Sequence, residues 1–418
     1  SGRADSPSGG LGKMNILAVS QYYWPEPFNV SDICEELVQR GHSVTVLTGL
    51  PNYPEGKIYN GYEKGQKREE IRNGVQIVRS WLWPRKTGPI NRFLNYESFS
   101  RVASRIVARL NDDFDVVISF EISPIMSARP AIAYSRRFNK PLLLYVIDIW
   151  PECLVVGGIK KDSLIYNHYK RLAAKIYSSA DVLAVTSPGF RDYIAGLIGS
   201  SADSVYLPQY AEDIFSKENN ELPDGYRNDK INLTFAGNVG AAQSVMTIVR
   251  AASLLKTKPD IIFHIVGSGS ELEHCKKMAK ELNLINVIFH GRKPLVQMPA
   301  YHQASDAMIA TFSKTPILAY TLPRKIQSYM AAGRPIIGAV SGEAKKVIEE
   351  AKCGFCCEAE DYEGFAEACD ALSKLSEQKR NQLGESAKDY YEKHFSRQVF
   401  FGVLENELKQ LKGTVHHD

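Results

Sequence analysis

Short apolar runs alternate with helically spaced segments along almost the whole of this 418-residue chain, and that alternation leaves few folds open. Asn15-Ile-Leu-Ala-Val-Ser20 is a run of the kind buried on both faces of a parallel sheet. Val30, Ile33, Cys34, Leu37 and Val38 then recur at helical spacing, Gly41 closes the helix, and Ser43-Val-Thr-Val-Leu-Thr48 is a second buried strand. Strand, helix and strand in that order require parallel strands joined by a crossover. The pattern predicts further strands at Val75–Arg79, Asp115–Phe120, Leu142–Ile147, Val182–Thr186 and Ser204–Leu207. Helices are expected near Arg92–Leu110, Pro124–Arg137, Leu164–Ser179 and Gly189–Ala195.

Pro208-Gln209-Tyr210 breaks the alternation, and a polar stretch carrying Pro223 and Gly225 follows. A second series then begins, with strands predicted at Ile231–Ala236, Ile261–Val266, Val287–His290, Ala307–Ala310 and Pro335–Ala339. Helices are expected at Val245–Leu255, Glu271–Leu282, Ile326–Ala332, Glu343–Glu350 and Gly364–Leu375. The domains read as 14–210, a linker at 211–229, and 230–395. Residues 396–418 read as a helix returning to the first domain, and a tail. Residues 1–13, Gly/Ser-rich and ahead of Met14, read as a cloning scar. The fold class is α/β, two Rossmann-like doubly wound domains facing a cleft. Ligands of such sheets bind beyond the carboxyl ends of the strands.

Composition excludes other classes. With 44% hydrophobic and 23% charged residues the chain is neither disordered nor fibrous. Seven cysteines, an odd number, fit reduced thiols in a cytosol better than a disulfide framework. Cys353, Cys356 and Cys357 lack the further ligands a zinc site needs and read as core packing, so no metal is expected. No apolar run reaches the ~20 residues that cross a bilayer, so a cytoplasmic protein is expected. The net charge of +4 gives no reason to expect nucleic acid. Its distribution is uneven, because Lys64 to Arg109 holds 11 Lys and Arg against 3 Glu. Trp81, Trp83, Ile90, Phe93 and Leu94 lie in the same stretch, a pairing used at membrane interfaces or on single-stranded nucleic acid, and equally found in a solvated loop.

Several loops carry chemistry. Phe235-Ala-Gly-Asn-Val-Gly240, Ile265-Val-Gly-Ser-Gly-Ser270 and His290-Gly-Arg-Lys293 each follow a strand of the second domain with a Gly turn. Three such turns suggest a nucleotide site at Gly237, Gly267 and Arg292, although each alone is also an ordinary strand–helix turn. Pro323 opens a helix whose first turn holds Arg324 and Lys325, where the helix dipole disfavours cations unless an anion also binds. In the first domain, Asp148 and Glu152 lie just past a strand and fit either sugar-hydroxyl binding or acid/base work, or a cap and a surface charge. The stiff loops Gln21–Phe28 and Gly49–Pro54 offer Tyr23, Glu26, Asn52 and Tyr53 to a sugar face, or serve structure alone. No second carboxylate is expected near Asp148, which argues against a two-carboxylate glycosidase mechanism.

Taken together, Gln21-Tyr-Tyr-Trp-Pro-Glu26, Arg40 to Thr48, Pro51-Asn-Tyr-Pro54, Asp148-Ile-Trp-Pro-Glu152, Phe235 to Gly240, Pro323-Arg-Lys325 and Ala332-Gly-Arg-Pro335 resemble the retaining glycosyltransferases of family four, which have the GT-B fold. The likeness covers Met14 to Leu411 and leans toward the bacterial surface-polysaccharide branch that includes N-acetyl-L-fucosamine transferases. The resemblance implies transfer from a nucleoside-diphosphate sugar, UDP-linked, to a polyprenyl-diphosphate-linked glycan, without metal or cofactor. It implies a protein at the cytoplasmic face of the inner membrane, in peripheral contact with anionic lipid. Where the broader family has Glu-x7-Glu on the donor, this chain has Tyr320 and Ser328; its Arg and Lys after the first strand fall on Asn238 and Gln243. In the branch a Lys is common where this chain has Ala241 and a Gly where it has Ser244. The diphosphate is therefore left to Lys325, Arg324 and backbone amides, with Asp148 and Lys325 as the catalytic pair. Rival readings are a nucleotide-sugar epimerase on the same fold and a nucleotide-sugar-binding protein without turnover. A dehydrogenase is disfavoured by the absence of GxGxxG at the first strand.

Overall fold

The computed structural model describes residues 12–414 except 157, 201, 202, 218 and 220. Residues 1–11 of the expected cloning scar lie outside the described residues. The chain divides into two compact units. Unit 1 takes the chain up to Val185, Tyr193–Val205 and Glu405 onward; unit 2 takes Thr186–Asp192 and Tyr206–Leu404.

Unit 1 is built on eight strands: β1 (Asn15–Val19), β2 (Ser43–Gly49), β3 (Glu69–Arg72), β4 (Val75–Ser80), β5 (Val116–Glu121), β6 (Leu142–Val146), β7 (Val182–Val185) and β8 (Ser204–Tyr206). Their order is β3-β4-β2-β1-β5-β6-β7-β8. The central strands are parallel, with Ile16 opposite Val44 on one side and Val116 on the other. All of β5 and β6 is buried, as a strand covered on both faces must be. β3 runs antiparallel to β4, as a short charged edge, Glu-Glu-Ile-Arg. It has no apolar alternation to betray it, and charge on an edge strand opposes unwanted pairing.

Unit 2 carries β9 (Ile231–Ala236), β10 (Ile261–Val266), β11 (Val287–Gly291), β12 (Ala307–Thr311), β13 (Ile336–Ala339) and β14 (Gly354–Cys357), all parallel, in the order β11-β10-β9-β12-β13-β14. Side chains alternate between two cores. Phe235, Phe263, Ile265, Ile309 and Ile337 pack with helices Val245–Leu254 and Tyr362–Ser373. Met308, Ala310 and Ile336 pack on the other face with Ile326, Tyr329 and Met330 of helix Arg324–Ala331. Helix Glu377–His394 was not expected from the sequence. Among its residues only Gly384, Ala387 and Tyr391 are buried, too few for a legible stripe, and Gly384 lies on the Gly333 carbonyl where a Cβ would not fit. Cys353 is buried and Cys356 and Cys357 are half-buried on β14.

The last helix, Arg397–Thr414, enters unit 1 at Glu405. There the Glu405 carboxylate accepts from the His42 ring at 3.1 Å and from Arg40 at 3.2 Å, while the Met14 N–H donates to the other His42 nitrogen at 3.3 Å. Lys412 donates to Asp115 at 3.0 Å. Glu405 and His42 are both buried, so Glu405→Ala strands a buried donor at a cost of about 1.5–3 kcal/mol. Thermal unfolding of this variant should begin several degrees lower; an unchanged transition would show that the ring and Arg40 find other acceptors.

Candidate functional site

In unit 2 the three Gly turns follow adjacent parallel strands and are stitched together by backbone. Gly237 ends β9 at φ +146° and its N–H donates to the Val266 carbonyl at 2.9 Å. Gly267 ends β10 at φ +151° and donates to the Gly291 carbonyl at 2.8 Å. A Cβ on Gly267 would run into the Gly237 carbonyl oxygen, so glycine is required there by contact as well as by φ. Beyond Gly237, Asn238 is exposed and donates to the Gln243 side chain at 3.2 Å, and the Gln243 carbonyl accepts from Thr311 at 2.6 Å.

Lys325 meets this turn from below. Pro323 is the extended residue before helix Arg324–Ala331, one position earlier than the sequence suggested, so Lys325 sits at the helix's second position. One turn on, the Tyr329 hydroxyl donates to the Ala236 carbonyl at 3.0 Å and fixes the helix against the end of β9. The Lys325 Nζ lies 4.2 Å from the centre of the Phe235 ring, where a Cβ on Gly237 would come within 3.1 Å of it. It is buried with no hydrogen-bond partner among the described residues. Burial pulls its pKa down to about 7. An ammonium held at a helix N-terminus, under a Gly turn and without a counter-charge, is an incomplete arrangement that an anion completes.

The other donor-side residues are placed differently. Arg324 is tied to Glu212 at 2.8 Å and to the Tyr210 carbonyl at 3.1 Å. Arg292 is exposed. The Ser328 hydroxyl donates back to the Arg324 carbonyl at 3.3 Å, and the Tyr320 carbonyl accepts from Ser187 at 2.6 Å. Of the donor-side set, the structure therefore gathers Gly237, Asn238, Gln243, Gly267 and Lys325.

In unit 1, Asp148 follows β6, and its backbone N–H donates to the Glu121 carbonyl at 3.3 Å. Burial pushes its carboxyl up to about 7, opposed by the Arg85 charge. The expectation that no second carboxylate stands nearby is corrected here. Glu121, the last residue of β5, is fully buried and neither carboxylate oxygen has a partner. Burial, with Asp148 adding repulsion, drives its pKa well above the usual carboxylate range. A Glu ending the otherwise uncharged strand Val-Val-Ile-Ser-Phe was the available sequence signal.

The acceptor-side residues form a clamp. Glu26, 2% exposed, accepts the backbone N–H groups of Asn52 and Tyr53, both at 2.8 Å. Burial raises its pKa to about 7 against those two bonds. The Asn52 side chain accepts from the Arg85 backbone N–H at 2.8 Å, and the Arg85 guanidinium donates to the Tyr96 hydroxyl at 3.3 Å and lies 5.3 Å from the Tyr53 ring centre. Tyr23 is fully buried. Glu152 accepts from Tyr166 at 2.8 Å, Tyr193 at 3.0 Å and Lys161 at 3.3 Å. Glu26 thus ties two loops together and Glu152 ties helices together, leaving Asp148 and Glu121 as the carboxylates without such bonds. Arg85, which links the loops to Asp148 electrostatically, was not singled out for this role from the sequence.

Two largely parallel α/β sheets, one with Gly turns at the ends of three adjacent strands, make up the GT-B architecture. Solved structures share that fold. Sucrose-phosphate synthase from Thermosynechococcus elongatus superposes with a TM-score of 0.73 at 15% identity, covering 96% of this chain and 100% of that one. Anabaena HepE, solved in complex with UDP and glucose, gives a TM-score of 0.68 at 14% identity over 94% and 99% of the two chains. Two family models match in succession, a glycosyl transferase 4-like domain at residues 29–208 and glycosyl transferases group 1 at 217–390. The chain belongs to the family-four glycosyltransferases. Among its relatives, WbjE of Pseudomonas aeruginosa, named a probable glycosyltransferase, is 26% identical over 68% of this chain and 72% of its own. WcaI of Escherichia coli K12, named for colanic acid biosynthesis, is 24% identical over 77% and 82%.

Two predictions concern the ionisable pair of residues. The Lys325 pKa falls from 10.5 unfolded to about 7 folded, so the native state loses stability as pH drops through that window. Lys325→Met removes this penalty: its melting temperature should gain on the unmodified protein as pH is lowered from 10 to 7. Its affinity for UDP should fall by about tenfold or more, the worth of a charge-assisted phosphate contact. Parallel melting curves and intact UDP binding would place the anion elsewhere. Asp148 has the opposite sign. Its pKa rises from 3.8 to about 7, so its stabilising contribution is complete below 3.8 and lost as pH rises to 7. Asp148→Asn should therefore melt higher than the unmodified protein at pH 8, with the gap closing toward pH 4. A pH-independent gap would mean that Asp148 is not the titrating group.

Proposed function

We propose that the protein transfers a sugar, with retention of anomeric configuration, from a UDP-linked donor to a polyprenyl-diphosphate-linked glycan in surface-polysaccharide synthesis. The sugar proposed is an N-acetylated amino sugar such as N-acetyl-L-fucosamine. The observation that carries this reading is the buried, unpartnered Lys325 Nζ beneath the Gly237 turn. A leaving diphosphate would find there a cation and backbone N–H groups already in place, the kind of preorganised stabilisation that lowers the barrier without a metal. HepE, of the same fold, was solved with UDP and glucose, and the relative WcaI is named for colanic acid synthesis; both support the reading.

In the proposed reaction the bond between the anomeric carbon and the UDP oxygen breaks while the acceptor oxygen bonds to the same face. The acceptor proton passes to the departing phosphate oxygen. Asp148, with a pKa near working pH, orients the acceptor hydroxyl as a hydrogen-bond partner. Unit 2 supplies Lys325, Gly237 and Gly267 for the donor, with Arg324 held by Glu212 as a support. Asn238 and Gln243 complete the donor side, while Arg292, Tyr320, Pro323 and Ser328, expected there from the sequence, are given no donor contact in this reading. Tyr23, Glu26, Asn52, Tyr53 and Glu152 shape the acceptor side.

A second reading, a nucleotide-sugar epimerase, gains from the Asp148–Glu121 pair, since such chemistry needs neighbouring acid/base carboxylates. One experiment separates them. Incubation with a panel of UDP-sugars and a lipid-linked acceptor should release UDP only when acceptor is present, and proton NMR of the product should show the donor's anomeric configuration. Release of free UDP and a changed sugar without acceptor would favour the epimerase; an inverted product would contradict retention. Asp148→Asn should lower the turnover number by about 10²–10⁴-fold.

Membrane contact is the last part of the proposal. The basic stretch is partly consumed internally, because Arg72 pairs with Glu35, Arg79 with Glu70, and Arg101 with Glu97. Lys86, Arg85 and Arg92 make no ion pair among the described residues. Trp81 and Trp83 are 45% and 36% exposed beside Lys86. Among the described residues no helix is long and apolar enough to cross a membrane. Replacing Trp81, Trp83 and Lys86 together should reduce flotation with anionic vesicles and leave UDP binding unchanged. Absence of flotation by the unmodified protein would contradict the peripheral, cytoplasmic-face assignment.

A further inference from the structure

Unit 1 contains a pocket of about 680 Å³, within the range of small-molecule sites. Helices Pro89–Val107 and Leu164–Tyr177 wall it, Trp150 lines it from the loop after β6, and Cys153 from the short helix Glu152–Val156. We propose that this pocket holds the apolar chain of one isoprenoid diphosphate, with its charged head toward Arg85 and Arg92. The proposal rests on the transferase reading and assigns its acceptor carrier a site.

Four observations lead there. First, the rim exposes apolar surface that a protein ordinarily covers: Ile90 is 73% exposed, Phe93 50%, Leu164 90% and Ile165 53%. Secondly, the Trp150 and Tyr96 polar groups in the lining are already used. The Trp150 indole N–H donates to Ser123 at 3.1 Å, and the Tyr96 hydroxyl accepts from Arg85 at 3.3 Å. A sugar or a peptide backbone would find few free partners, whereas a hydrocarbon chain needs none. Thirdly, the charge is one-sided. The lining includes Arg85 and Arg92 and no carboxylate, and neither Arg has an ion-pair partner among the described residues. Helix Pro89–Val107 also has no acidic residue in its first turn, although carboxylates are favoured there, so its N-terminus too is left to an anion. An amphipath with an anionic head and an apolar chain satisfies both ends; a neutral lipid satisfies one. Finally, Arg85 belongs to the lining and also acts on the Asp148 charge, so the cationic end of the pocket is the end nearer Asp148.

The test uses the full chain with saturating UDP, so that the donor diphosphate site is filled. Farnesyl diphosphate is the probe, titrated by calorimetry beside inorganic diphosphate and farnesol. The proposal expects farnesyl diphosphate to bind at least about tenfold more tightly than either control, since burial of several apolar groups is worth more than that factor. Phe93→Ser combined with Ile165→Ser should weaken farnesyl diphosphate about tenfold or more and leave UDP affinity unchanged; both side chains are exposed, so the fold tolerates the change. Arg85→Gln should weaken farnesyl diphosphate but not farnesol. Equal binding of inorganic diphosphate would reveal a free phosphate site, and equal binding of farnesol a merely greasy surface; either overturns the proposal. So does unchanged binding by the double variant, which would place the lipid elsewhere. UDP affinity, read on the same samples, reports on the donor site separately, so loss of one reading is distinguishable from loss of the other.

Discussion

A lysine ammonium buried against a phenyl ring with no oxygen to bond is costly to keep, and much of unit 2 is arranged so that it stays there. The Phe235 and Phe312 rings supply partial compensation, 4.2 and 5.6 Å away. The Tyr329 hydroxyl pins the helix to the end of β9, and Arg324, one residue before the lysine, is drawn off to Glu212 and the Tyr210 carbonyl. Lys325 is thereby left with the Gly237 turn as its neighbour and no protein carboxylate as partner. The turn itself depends on glycine at 237 and 267, because any side chain at 267 would push the two strand ends apart. Strand order does the rest: β9 and β10 are neighbours, so their terminal turns lie together.

Unit 1 solves a different problem, that of keeping carboxyl groups away from water without pairing them all. Glu26 and Glu152 are satisfied by backbone N–H groups, tyrosine hydroxyls and a lysine, and they hold loops and helices in place. Glu121 and Asp148 are not satisfied in this way, and both are pushed toward the neutral form. Two adjacent carboxyl groups that resist ionisation together will share charge, so the proton that leaves first comes from the less buried Asp148. Arg85 favours that ionisation while closing the loop lattice through Asn52 and Tyr96. Arg85 thus serves twice, its guanidinium through Tyr96 and its charge on Asp148, and its backbone N–H through Asn52.

The parallel sheets were legible because strands buried on both faces read as unbroken apolar runs, and because Gly and Pro mark the turns after them. Gly237, Gly267 and Lys325 stood out for the same reason: each is an unusual residue for its local structure unless a ligand is present. What the sequence concealed follows from weaker signals. β3 is a charged edge, and helix Glu377–His394 buries too little to show a stripe. Glu121 was passed over because a terminal strand residue is usually a solvated one. Arg324 looked equivalent to Lys325 by position, yet its partner Glu212 lies in a stretch read as linker and separated by more than any local rule can reach. The same distance effect hid the roles of Glu26 and Arg85, which meet through Asn52 only once the loops have folded.

The most direct test is the proton balance of UDP binding, measured calorimetrically at pH 8 in buffers of different ionisation enthalpy. Free Lys325 is largely neutral there, with a pKa of about 7, and a bound diphosphate favours its charged form. The account predicts net proton uptake on binding, affinity that weakens as pH rises, and loss of the uptake in Lys325→Met. Tight UDP binding with no proton uptake, or with uptake that survives the substitution, would contradict it.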